Sequence, residues 1–270
     1  MPLKTHARRL FASAAVAAVL AISAGGCSNI SNTGAGDTTG SIGAASLNQD
    51  DARRSLDALG ARYRQNPADP DAAIAFARAL RATDQRAQAV AVLEQASIRN
   101  PSNMPLVGAY GRALADAGQY QQALEALDRA HTPDNPDWRI LNVQGAVLDQ
   151  MGRHAEAQRH YANALKMVPD EPAVLSNLGL SYMLTKDLKN AELTLRRAVA
   201  QPGAGPKVRQ NLALVVGLRG RFPEAEKIAS ADLPPNEAAA NVAYLKQMLA
   251  QQGDWKKMGR AYGPGPDTGS

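Results

Sequence analysis

The stretch Trp138–Glu171, WRILNVQGAVLDQMGRHAEAQRHYANALKMVPDE, decides the fold. Leu141, Gly145 and Leu148 share the spacing of one helical face, and Ala157, Tyr161 and Ala164 repeat that spacing further along. Gly152 stands between the two runs, where the chain must reverse, and Pro169 closes the second. The pattern predicts two helices joined by a tight turn, each with one apolar face. Such a hairpin cannot bury both faces alone, so it needs copies of itself on either side.

Those copies are present. Moving from Gly145 in steps of 34 residues lands on Ala77, Gly111, Gly179 and Ala213, all small. The small residue of the second helix recurs as Ala89, Ala123, Ala157, Ala191 and Ala225. The large residue four places later recurs as Leu93, Leu127, Tyr161 and Leu195, with only Ala229 in the last unit. The turn position reads Gly118, Gly152 and Gly220, but Asp84 and Lys186 in the other two units. A helix-ending proline falls at Pro101 and Pro169 and one place off at Pro136 and Pro202. Small residues at these places let a large residue of the partner helix pack against backbone. In this register the chain resembles the tetratricopeptide family over 70–238, as five units at 70–103, 104–137, 138–171, 172–205 and 206–238. The resemblance implies an all-α, right-handed superhelical solenoid whose first helices line a concave ligand surface.

Helix signals at 50–67, with Leu56, Leu59 and Tyr63 on one face, predict an N-terminal capping helix over the open edge of the array. Val242, Leu245, Met248 and Leu249 predict a C-terminal capping helix at 239–260, with the register slipped by one residue and Gly253 and Trp255 in a turn. The last residues, 261–270, carry two Gly-Pro pairs and read as a disordered tail.

Composition agrees with helices that pack small on large, since 45% of the residues are hydrophobic but only 4% are aromatic. The formal net charge of +5 includes Lys4, Arg8 and Arg9 near the N-terminus. With no Lys/Arg run and no interleaved aromatics, nucleic acid is not the expected partner.

The N-terminus reads as an address. Basic residues Lys4, Arg8 and Arg9 precede an apolar run from Leu10 to Ala24, which is short for a membrane span, and Gly25, Gly26 and Cys27 follow. Cys27 is the only cysteine and has no internal disulfide partner. Residues 1–26 resemble a bacterial lipoprotein signal, although Ala24 stands where leucine is preferred. That resemblance implies lipidation of Cys27, and Ser28 after it implies the periplasmic face of an outer membrane. A soluble exported protein with an incidental cysteine is the other reading. Residues 27–49, rich in Ser, Asn, Thr, Gly and Ala, read as the lipidated cysteine and a flexible tether.

Projecting outward from the packing positions, the first helices of the first three units offer Asp71, Arg78, Arg81, Arg112, Asp116, Arg139, Asn142 and Asp149. The last two units offer Ser176, Leu180, Met183, Leu184, Gln210, Leu214 and Leu218. The first set suits charge-assisted contacts to an extended peptide, and the second suits the apolar face of a helix. The alternatives are a solvated face for the arginines and packing against a capping segment for the leucines and Met183.

No residues converge as a catalytic or cofactor site is built. His154 and His160 are six apart, unlike the i, i+4 pair of a helical zinc site, and His131 lies in a loop, so no metal is expected. Serines lack a nucleophile-elbow motif, and the glycines mark turns rather than a phosphate loop. Trp138 is expected between hairpins. The whole arrangement resembles the lipoproteins of tight-adherence (Flp) pilus assembly systems, which implies a pilotin-like adaptor that binds a protein partner, a secretin or another pilus component, and neither a cofactor nor a small-molecule substrate. A scaffold for outer-membrane protein assembly, or for a peptidoglycan-regulating complex, fits the same features. An enzyme using the repeats for substrate recognition fits less well, because no segment outside them is large enough for a catalytic domain.

Overall fold

The computed structural model describes residues 53–261, apart from Pro133 and the side chains of 252–261. The signal segment, Cys27, the tether, Trp255 as a side chain and the tail from 262 lie outside the described residues. Within them the protein is all-helical: α1 (53–65), α2 (Pro70–Ala82), α3 (Arg86–Arg99), α4 (Met104–Asp116), α5 (Tyr120–Asp128), α6 (Trp138–Gln150), α7 (His154–Met167), α8 (Pro172–Leu184), α9 (Leu188–Val199), α10 (Pro206–Leu218), α11 (Phe222–Ala229) and α12 (Pro235–Ala261). Five hairpins, α2/α3 to α10/α11, lie between α1 and α12.

The even-numbered helices start on strong signals. Asp69, Asn103, Asp137 and Glu171 accept hydrogen bonds from backbone N–H groups of the first turns of α2, α4, α6 and α8. Proline occupies the first or second helical position of α2, α4, α8 and α10, where its missing N–H costs nothing.

Within each hairpin the small-on-large contact holds. A Cβ on Gly111 would sit 2.6 Å from Leu127 Cγ, one on Gly145 would sit 2.5 Å from Tyr161 Cε1, and one on Gly179 would sit 2.6 Å from Leu195 Cγ. Ala77 and Ala213 are also buried, as are all five small residues of the second helices. The turn is shared by all five hairpins. Gly118, Gly152 and Gly220 have φ between +75° and +82°, and Asp84 and Lys186 take the same left-handed conformation at +61° and +65°. That conformation lets the next N–H reach back five residues, as in Gln85 to Leu80 (2.8 Å), Arg153 to Leu148 (2.8 Å) and Asp187 to Tyr182 (2.9 Å). The unfavourable φ of a side-chain residue is tolerated because the two helices it joins leave no other path.

Between hairpins the core continues without a break. Leu106 and Ala113 of α4 pack into the first hairpin's cluster, Ile140 and Val147 of α6 into the second's, and Val174 and Leu178 of α8 into the third's. Each of α2, α4, α6, α8 and α10 touches the next in that series, whereas among the described residues none of α3, α5, α7, α9 and α11 touches another. The first helices are therefore crowded and line the concave side, and the second helices are splayed on the convex side.

The ends are capped. Leu56 and Tyr63 of α1 pack on the first cluster, and the Tyr63 and Phe76 rings stack with centroids 5.7 Å apart. At the other end α12 lies on α10 and α11, burying Ala238 and Leu245, the latter beside Gly217. It begins at Pro235, ahead of the expected 239, and runs unbroken through Gly253 and Trp255 to Ala261 in place of the expected turn. One interior glycine costs only about 1 kcal/mol of helix propensity, which is not enough to stop it.

Ionic clasps tie the fourth hairpin to the fifth. Arg196, Arg219 and Arg221 all donate to the buried carboxylate of Glu192, and Arg196 and Arg221 also pair with Glu224. Burial alone would raise the Glu192 carboxyl, but hydrogen bonds from Arg221, Arg196 and Arg219 hold it down to about 2. A depressed folded-state pKa stabilises above the unfolded value near 4.3 and is lost as pH falls toward 2. The melting difference between wild type and Glu192→Gln should accordingly be largest at neutral pH and shrink from about pH 4.5 to about 2; a difference independent of pH would rule out this assignment. Gly145→Val forces Cβ into the Tyr161 ring and should cost about 2–3 kcal/mol in urea unfolding, with the helical circular dichroism signal kept below the transition.

Candidate functional site: the concave groove

A pocket of about 420 Å³ opens on the concave side across α2, α4, α6 and α8, where Arg81, Arg112, Asp116, Tyr120, Asn142, Asn177 and Gln150 surround a floor of Ala115, Val143, Ala146 and Val147. It brings together four of the residues expected from sequence, Arg81, Arg112, Asp116 and Asn142. Helix periodicity points each into the groove, and only the packing of successive first helices makes it a concavity.

Polar side chains link these helices in a ladder. Arg81 Nε donates to Asp116 Oδ2, Asn177 Nδ2 to Asn142 Oδ1 at 2.9 Å, and Asn211 Nδ2 to Ser176 Oγ at 3.0 Å. Each pair is 35 residues apart, one more than the repeat. Neighbouring helices pack at an angle, so a groove side chain meets the position beyond its own equivalent. Asn177, Tyr120 and Gln150 were not singled out in the sequence; stepping 35 from Asn142 would have found Asn177.

Arg112 is half-buried in this pocket and, among the described residues, makes no ion pair or side-chain hydrogen bond. Burial lowers its pKa, the Arg81 cation lowers it further, Asp137 opposes, and Arg139 and Arg78 add to the lowering. Arg78 and Arg139 are exposed, and Arg139 lies 4.6 Å from the centre of the Trp138 ring. Trp138 itself is half-buried against the cluster of Leu141, Tyr161 and Val174.

Two residues expected to face outward turn inward. Ser176 is buried and takes its place in the polar ladder. Asp149 has a side chain only 8% exposed and accepts from His154 Nδ1 at 2.8 Å, Ser181 Oγ at 2.8 Å and Tyr161 Oη at 3.0 Å. Burial, then Asp149, push the Tyr161 phenol up, so it stays a donor. Asp149 thus bolts α6 to α7 and α8, because an inward carboxylate must be fully hydrogen-bonded.

In the second half of the groove Leu180, Met183, Leu184, Leu214 and Leu218 are half-buried and Gln210 is exposed, and none of them lines the pocket. Met183 packs against the cluster of Leu195, Leu212 and Val216. Among the described residues no group of three His, Cys, Asp or Glu is placed to hold a metal ion, and no helix is long and apolar enough to cross a membrane. His131 and His160 each bury an Nδ1 without a partner.

Residues 74–137 and 143–207 match the family model of the tetratricopeptide repeat. No curated protein matches the sequence. Among solved structures, the type IV pilus biogenesis factor PilW superposes with a TM-score of 0.62 at 16% identity, covering 75% of this chain and 95% of that one. Pseudomonas aeruginosa PilF gives 0.54 at 18% identity, covering 73% and 93%. The APC/C hetero-tetramer Cut9–Hcn1 gives 0.58 at 15% identity over 73% of this chain, which spans only 40% of the length of that one. At these identities the likeness is one of fold.

Removing the Asp149 carboxylate strands three donors in the core. Asp149→Ala should destabilise by about 3 kcal/mol in denaturant unfolding, and adding Ser181→Ala to it should cost far less than Ser181→Ala costs alone.

Proposed function

We propose that this chain, a tetratricopeptide-repeat solenoid by fold, is an interaction scaffold: a lipid-anchored periplasmic adaptor for pilus assembly that holds a segment of a partner in its concave groove. The observation that carries the reading is the groove itself: a pocket built from several first helices, lined by polar and small apolar side chains together and flanked by half-buried leucines beyond. Extended or helical peptide segments are the ligands that such a surface fits.

Three further features support it. The lipobox-like signal ending at Cys27 and the polar 27–49 tether would set the solenoid off a membrane surface by up to about 75 Å. The fold is shared with PilW, a type IV pilus biogenesis factor, and with PilF. The combination of signal, tether and five repeats resembles TadD, the lipoprotein of the tight-adherence (Flp) system. In this reading the protein acts as a pilotin-like factor at the outer membrane and aids localisation or assembly of a secretin. Leu180, Met183, Leu184, Leu214 and Leu218 take an amphipathic tail of that partner.

Leu180→Asp with Leu214→Asp should abolish co-purification with the Flp secretin while leaving the circular dichroism spectrum unchanged. Undiminished capture by the folded double variant rules out the leucine surface, and no capture by the wild-type chain rules out the secretin.

A further inference from the structure

We propose that the N-terminal half of the groove is a receptor for a run of acidic side chains in an extended segment of a partner protein, with the Arg112 guanidinium as the central hydrogen-bond donor to their carboxylates. The proposal rests on the reading of the groove as the partner surface and names the chemistry of what binds there.

Arg112 is the residue that needs a ligand. A guanidinium stays charged in any protein environment and carries five N–H donors, so half-burying one without an anion is unfavourable. Most arginines of the solenoid have carboxylates: Arg81 has Asp116, Arg153 has Glu156, Arg197 has Asp170 and Arg209 has Asp232. Arg112 has none among the described residues, and it lines the pocket. The surrounding charges make matters worse, since Arg81, Arg139 and Arg78 oppose its charge while Asp137 favours it, and the carboxylate of Asp116 in the same pocket is taken by Arg81. A carboxylate entering the pocket removes both penalties at once through a bidentate contact.

The length of the cation array selects the class of anion. Arg78 and Arg81 stand on α2, Arg112 on α4 and Arg139 on α6. Packed helices lie about 8–10 Å apart, so three in a row span about 20 Å. An extended peptide covers that distance with about six residues. One terminal carboxylate would satisfy one of these arginines, whereas consecutive acidic side chains reach several. Beside them, Asn177 Nδ2 is spent on Asn142 Oδ1, which leaves the Asn142 amide donors and the Asn177 carbonyl to pair with a peptide backbone.

The test titrates the detergent-solubilised full chain by calorimetry with hexaglutamate blocked at both ends. Saturable binding that weakens at least tenfold in Arg112→Gln, weakens with added NaCl and is unchanged in Arg159→Gln on the exposed face of α7 supports the proposal. Should Arg112→Gln not fold, the exposed pair Arg78→Gln and Arg139→Gln must weaken binding at least threefold. No binding of hexaglutamate, equal binding of hexaglutamine with a free C-terminus, or an Arg112-dependent affinity for phosphatidylglycerol vesicles in place of the peptide overturns it. Hexaglutamate binding without secretin capture leaves this inference standing and removes the pilus partner. Secretin capture that persists without hexaglutamate binding does the reverse.

Discussion

Each hairpin depends on how closely its two helices approach. Where the first helix carries Gly111, Gly145 or Gly179, the facing Leu127, Tyr161 or Leu195 occupies the space that a Cβ would fill. The consequence is cumulative in a solenoid. Each first helix must also pack on the next, and a hairpin held too far apart would misplace the groove residues of both neighbours. The alanine-rich, aromatic-poor composition follows from this constraint.

The hairpin turn obeys a second constraint of the same kind. Once two helices lie antiparallel in close contact, the joining residue has a left-handed conformation whatever its side chain. Gly118, Gly152 and Gly220 take it without cost, whereas Asp84 and Lys186 take it because the packing on both sides overrides their preference. The glycine pattern in the sequence therefore understates the regularity of the turns.

Charge is handled in opposite ways inside the solenoid and in its groove. Glu192 and Asp149 are buried with every neighbour supplied, so they fasten one hairpin to the next. Arg112 is half-buried with no carboxylate partner among the described residues, and it opens onto the groove. A protein built from internally satisfied polar contacts leaves its binding capacity where satisfaction is incomplete.

The sequence by itself determined the hairpin and its repeat, because these rest on helical periodicity and on contacts 16 residues apart within one unit. It also placed Arg81, Arg112 and Asn142 on the groove side. It could not tell an outward polar residue from an inward one: Asp149 and Ser176 sit at positions that periodicity leaves polar, yet both are drawn inside by donors on other helices. Nor did it yield Asn177, Tyr120 and Gln150 as pocket residues, or the unbroken α12. Those depend on the angle at which one unit lies on the next, which sets a spacing of 35 between groove partners, and that angle is fixed by three-dimensional packing and not by the period of any one helix.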